Sequence, residues 1–211
     1  MELTTERWCV FDLYGTLVDV DWREVKIRVL SAAGVDKTSV ERAVRLASPK
    51  RLVGACNDAD QEWRWICHTA GIPSDQVAER LRDVEKGAIL DTWHEIAPVV
   101  ALVRQVRSMG CGVAVSSNCY RETADILRSS SLMSLVDTVF LSCEMGVAKP
   151  HRSYFEVVKK SLGGKLKEVV YLDDKVENCS SASRLGFRTL HVKAGMDQRS
   201  LAESLDQLLA G

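Results

Sequence analysis

Five short apolar runs, at 8–12, 112–117, 137–142, 168–173 and 187–192, alternate with stretches of helical period near 98–109, 121–131, 152–161, 177–185 and 198–209. Apolar runs this short read as buried strands, and a strand–helix rhythm calls for a parallel sheet with helices on both faces. Right-handed crossovers then make the sheet doubly wound, an α/β fold that holds its ligands at the carboxyl ends of the strands. Chemistry-bearing residues collect at those ends. The first run stops at Asp12, the second at Ser116-Ser117-Asn118 and the fourth at Asp173-Asp174, while Lys149-Pro150 follows the third. A carboxylate at the end of a buried strand is costly unless something uses it. Four separate segments converging on one sheet edge weigh more than any one of them.

Residues 21–90 break the rhythm. They read as helices near 21–33, 38–47, 57–70 and 75–88, punctuated by Gly34, Pro49, Gly71 and Pro73. The expected organisation is a core of residues 1–18 and 92–211, with a helical cap at 19–91 inserted after the first strand and seated over the strand ends.

Composition works by exclusion. With 46% hydrophobic and 27% charged residues among 211, the chain is globular. A formal net charge of -1 gives no electrostatic case for a nucleic-acid or acidic-membrane partner. The apolar runs fall far short of a bilayer span. The opening Met-Glu-Leu-Thr-Thr-Glu-Arg lacks the basic-then-apolar pattern of a signal peptide, so the expected location is the cytoplasm. The seven cysteines (Cys9, Cys56, Cys67, Cys111, Cys119, Cys143, Cys179) are odd in number and form no CxxC pair. They are expected to be reduced and mostly buried, with Cys119 and Cys179 near the site.

In order along the chain stand Phe11-Asp12-Leu13-Tyr14-Gly15-Thr16, the serine after Val113-Ala114-Val115 followed by Asn118, Lys149-Pro150, and Tyr171-Leu172-Asp173-Asp174-Lys175-Val176-Glu177-Asn178. Together they resemble the four motifs of the haloacid dehalogenase superfamily of hydrolases, over essentially the whole chain. The resemblance implies a Rossmann-like core with an inserted helical cap. It implies Asp12 as nucleophile, Ser117 hydrogen-bonding the transferring group, Lys149 holding nucleophile and group together, and Asp174 with Asp173 serving a magnesium ion.

Each role has a physical reason. A carboxylate attacking a phosphate meets charge repulsion, which Mg²⁺ and an ammonium partly cancel. Mg²⁺ takes hard oxygens and keeps several waters, so Asp12, Asp174 and the Tyr14 carbonyl would suffice, with Asp173 beside them and Asn178 orienting Asp174. Backbone N–H groups at the Gly15-Thr16 turn and at the helix start after Ser117 suit phosphate oxygens. Thr16, Ser116, Asn118, Tyr14 and Arg45 complete the candidate substrate contacts. Asp173-Asp174 would also serve as a helix N-cap pair.

Tyr14 pulls two ways. Most phosphatases of the superfamily carry a second aspartate two positions after the nucleophile, to protonate the leaving oxygen. Phe-Asp-x-Tyr-Gly-Thr-Leu is similar instead to the first motif of 2-haloacid dehalogenases, which displace halide and need neither that proton nor a metal. The fourth motif points back. Dehalogenases carry small neutral groups there, whereas adjacent carboxylates beside Asp12 would repel without a cation and raise one another's pKa. Phe155 stands where dehalogenases often have a tyrosine, and Tyr154 is expected to face elsewhere. Leu17-Val18-Asp19-Val20-Asp21-Trp22 resembles sugar-phosphate phosphatases that lack the second aspartate.

The expectation is an Mg²⁺-dependent phosphatase acting on a small-molecule phosphate ester through an aspartyl-phosphate on Asp12, as a monomer or homodimer. The alternatives are a metal-independent 2-haloacid dehalogenase using the same aspartate, and a phospho-ligand-binding or regulatory protein that kept the fold and lost turnover. In the cap, Trp63, Trp65 and Trp93 with His68 and His94 either line a pocket or pack. Arg42, Arg45, Lys50 and Arg51 either meet an anionic substrate or form a solvated face.

Overall fold

The computed structural model describes residues 7–72, 74–163 and 168–210; the Pro73 turn and the first six residues, on which the signal-peptide reading rests, lie outside these. The chain runs through β1 (Arg7–Asp12), β2 (Val18–Asp19), α1 (Trp22–Ala32), α2 (Lys37–Leu52), α3 (Ala59–Thr69), α4 (Asp75–Thr92), β3 (His94–Glu95) and α5 (Ala97–Ser108). It continues through β4 (Gly112–Ser117), α6 (Arg121–Ser129), β5 (Thr138–Leu141), α7 (Ser142–Met145), α8 (Arg152–Ser161), β6 (Glu168–Asp173), α9 (Val176–Ser183), β7 (Arg188–His191) and α10 (Gln198–Ala210). A 3₁₀ turn at Ser131–Leu135 precedes β5.

Five strands form one parallel sheet in the order β5-β4-β1-β6-β7. Strand alternation sorts the core into two layers. Cys9, Phe11, Val113, Val115, Val170 and Leu172 point to the face covered by α5 and α10, where Val103, Val106, Leu201 and Leu205 meet them. Trp8, Val10, Ala114 and Tyr171 point to the other face, against Tyr154, Phe155 and Val158 of α8 and Ala182 of α9. The register sets Asp12 beside Ser116 and Phe11 beside Leu172. Asp12, the serines and the paired aspartates therefore leave the sheet at the same edge.

The helical insert has a core of its own, including Val29, Val40, Ala43, Ala47, Trp63, Ile66, Ala78 and Leu81. Asp21, Asp36, Asp58 and Ser74 cap its helices, each side chain accepting from a backbone N–H in the first turn. The Pro49 break is not realised: α2 continues through Pro49 to Leu52. Proline forfeits one backbone hydrogen bond, but Arg51, in the last turn of α2, is held by Glu62 and Glu85 and fixes that turn in place. Where the chain leaves and re-enters the sheet domain, β2 and β3 pair antiparallel, Val18 with Glu95 and Asp19 with His94. Two-residue strands carry no readable period, and sequence reasoning missed them. No helix among the described residues is long and apolar enough to cross a membrane.

Candidate active site

At the strand-end edge the buried Lys149 ammonium donates to Asp12 Oδ1 at 2.6 Å, to Asp173 Oδ2 at 3.0 Å and to the Ser116 carbonyl at 3.0 Å. Asn118 fixes that lysine's backbone at both ends: Lys149 N–H donates to Asn118 Oδ1 and Asn118 Nδ2 donates to the Lys149 carbonyl, each at 2.8 Å. Both ends of the Asn118 amide engage Lys149, a positioning contact that the sequence did not announce.

Ser116 and Ser117 are separated by strand parity. Ser116 Oγ lies 3.0 Å from the Tyr154 hydroxyl, which donates to the Phe140 carbonyl at 2.6 Å. Ser116 therefore serves the framework, and Tyr154 turns in toward the site's supporting layer and not away from it. Phe155 is buried beside it, edge-on to Tyr171 at 5.3 Å. Ser117 Oγ is buried with no hydrogen-bond partner among the described residues, as are Thr16 Oγ1 and Asp174 Oδ1. Buried polar atoms are normally paired, so three orphans at one edge mark a place where something external completes the bonding.

The two adjacent aspartates also divide. Asp173 accepts from Lys149, from the Tyr171 hydroxyl at 2.5 Å, from Lys175 N–H at 2.8 Å and from Asn178 Nδ2 at 3.0 Å on both oxygens. Asn178 was expected to orient Asp174; it orients Asp173. The N-cap of α9 is Lys175, without a side-chain cap bond. Asp174 keeps an open oxygen, and its backbone carbonyl lies 2.9 Å from His191 Nε2, a contact no motif announced. Carboxylate oxygens of Asp12, Asp173 and Asp174 lie within 4.8 Å of one another. Gly15 makes this approach possible: its φ is +80°, and a Cβ there would lie 2.6 Å from Asp174 Oδ2.

Electrostatics follow from burial. Burial pushes the Asp12 carboxyl up to about 7, against the pull of Lys149 and with Asp173 adding to the rise. Burial works the same way on Asp173, but Lys149 and the Tyr171 hydroxyl outweigh it and hold that carboxyl below its ordinary value. Burial opposes the Lys149 charge, yet Asp12, Tyr171 and Asp173 keep its pKa well above the ordinary value. Burial also raises the Tyr14 phenol far above its usual range, only partly offset by Thr123. Its ring packs edge-on against Trp22 at 5.1 Å and Trp93 at 6.2 Å, where the insert meets the sheet domain.

The basic cluster of the insert is split. Arg51 is buried, donating to Glu62 and Glu85 at 2.8 Å each and lying 4.0 Å from the Tyr120 ring centroid. Trp63 Nε1 donates to Glu85 in the same network at 2.8 Å. Lys50 sits over Trp65 at 4.9 Å. Arg42 and Arg45 are exposed and border a cavity of about 660 Å³ lined mainly by residues of the insert, with Tyr120 of the sheet domain on its wall. His68 and His94 are exposed. Six of the seven cysteines are buried, and Cys119 Sγ lies 3.8 Å from Cys143 Sγ.

A parallel sheet with an acidic carboxyl-terminal edge and a helical insert after its first strand defines a Rossmann-like α/β protein with its candidate chemistry at the strand ends. Residues 6–186 match the model of haloacid dehalogenase-like hydrolases, and the chain belongs to that family. Among relatives, (S)-2-haloacid dehalogenase 1 of Pseudomonas sp. is 23% identical over 193 residues, 88% of this chain and 84% of that protein. Sesquiterpene phosphatase astK of Aspergillus oryzae is 27% identical over 123 residues, a match that spans 58% of this chain and only 60% of that protein. The fold is shared with a HAD family enzyme of Bacteroides thetaiotaomicron solved with magnesium and inorganic phosphate, at a TM-score of 0.73 and 20% identity, covering 93% of this chain and 98% of that one.

Proposed function

We propose that this protein is a magnesium-dependent phosphatase that hydrolyses a small-molecule phosphate monoester through a phosphorylated Asp12. The observation that carries this reading is the open, buried Asp174 Oδ1 within an acidic trio that a single lysine faces. Hard oxygen donors in this number suit magnesium. Asp12, Asp174 and the Tyr14 carbonyl would hold the ion, which when bound supplies positive charge against the incoming phosphate. Asp173, its oxygens already engaged, positions Lys149.

In this scheme an Asp12 oxygen attacks phosphorus, the ester P–O bond breaks, and the leaving alkoxide takes a proton from solvent water to depart as the alcohol. Water then cleaves the acyl-phosphate and restores Asp12. Lys149 bridges nucleophile and phosphate, and Ser117 and Thr16 hydroxyls donate to phosphate oxygens. Tyr14 keeps its proton at working pH and takes no part as a base. Its packing between Trp22 and Trp93 accounts for the residue without halide chemistry. The helical insert acts as the cap. A cytoplasmic setting and a monomeric or homodimeric state belong to the same reading.

Purified protein incubated with p-nitrophenyl phosphate should release phosphate with Mg²⁺ present. EDTA and Asp12→Asn should each abolish that release. Metal-independent halide release from a 2-haloacid, with no phosphate release from any ester, overturns the reading.

A further inference from the structure

The cavity in the insert is not used by the chemistry above. It runs between α1 and α2, and its wall is mainly apolar, formed by Trp22, Val25, Val29, Val44 and Trp63. At about 660 Å³ it has the size of an ordinary small-molecule site. Two contacts tie it to the strand-end edge. Trp22, on its wall, touches the ring of Tyr14, two residues past Asp12. Tyr120, also on its wall, lies three residues past Ser117 and hydrogen-bonds Ser48 at 2.8 Å.

The polar side chains on that wall are largely committed. Ser48 is paired with Tyr120, Arg51 with Glu85, and Lys26 with Glu41. A sugar would need donors and acceptors for every hydroxyl, since a buried hydroxyl without a partner is costly. A hydrocarbon needs none. Thr38, Arg42 and Arg45 of α2 line it as well, on one helix of the wall.

We infer that this cavity receives the apolar body of the alcohol, so that the substrate is the phosphate monoester of a medium-length aliphatic alcohol and not a sugar phosphate. The inference rests on the phosphatase reading for the phosphate end alone. It places recognition of the leaving group on Trp22, Val25, Val29, Val44 and Trp63.

The test is a series of n-alkyl phosphates, from ethyl to octyl, assayed with the whole protein and Mg²⁺. Each added methylene should raise kcat/KM about three- to fourfold until the cavity is filled. Val44→Asp, at a half-buried position, should cut the octyl-to-ethyl ratio of kcat/KM at least about tenfold, with thermal melting confirming the fold. A ratio near one in the wild type, with ethyl phosphate hydrolysed, overturns the inference and leaves the phosphatase reading intact. If no ester is hydrolysed, the phosphatase reading fails and the cavity is judged separately. Quenching of tryptophan fluorescence by n-alkyl alcohols should then tighten with chain length, and quenching that is absent or independent of length overturns it. The same titration serves if Val44→Asp does not fold.

Discussion

At Asp12 a proton and the proposed Mg²⁺ would compete for one carboxylate, and that competition is measurable. With burial holding the Asp12 carboxyl near 7 in the metal-free protein, a proton must leave before a cation can use that oxygen. Mg²⁺ affinity should therefore fall as pH drops from 8 to 6, the sign being that of a proton displaced on binding; calorimetric titrations at both values check it, and equal affinities would count against Asp12 as a ligand. Asn118 offers a second test. Its amide holds both backbone ends of Lys149, so Asn118→Ala should lower kcat by about ten- to a hundredfold, as misplacement of a positioned group does. Steady-state kinetics against an unchanged circular dichroism spectrum would show it. The residue types at this edge were legible from sequence because buried strands rarely end on free charges. Their division of labour was not. Which of two adjacent serines or aspartates faces the open space depends on strand parity and on partners such as Tyr154 for Ser116 and Lys149 for Asp173, which lie far off in sequence.

Among the elements, α2 shows how a distant contact overrides a local signal. Pro49 argues for a break, but the buried Arg51 network with Glu62, Glu85 and Trp63 holds the last turn. Removing the cation leaves Glu62 and Glu85 buried without a counter-charge, which typically costs about 3–5 kcal/mol. Arg51→Ala should lose stability of that order in urea denaturation, while Arg51→Ala combined with Glu62→Gln and Glu85→Gln should recover part of it. A variant as stable as the wild type would show the network to be dispensable. The long helices and the five strands were readable from periodicity alone. The β2–β3 ribbon, the short α7 and the 3₁₀ turn carry no period and emerge only through pairing and packing.

For the molecule as a whole, the proposed ion should register as added stability. Mg²⁺ binding to the folded state alone should raise stability by about 2.7 kcal/mol at a hundredfold excess over Kd. Thermal melts with and without Mg²⁺ should show the rise in the wild type and lose it in Asp174→Asn; an equal rise in both would place the ion elsewhere. The doubly wound architecture was legible because a parallel sheet buried on both faces leaves its mark in short apolar runs and regular spacing. The interior of the insert was not, since four amphipathic helices can pack in several ways and a cavity is a property of their arrangement.

The paired ribbon has a further consequence. The insert departs after Asp19 and returns at His94, and these two residues face each other in an antiparallel pair. Its ends are neighbours, so a two-residue Asn-Gly turn in place of residues 20–93 would join β2 to β3 as a hairpin in native register. The insert is in this sense spliced into the chain at a single point, while Val25, Ala88 and Ile89 of its helices join the core that covers one face of the sheet.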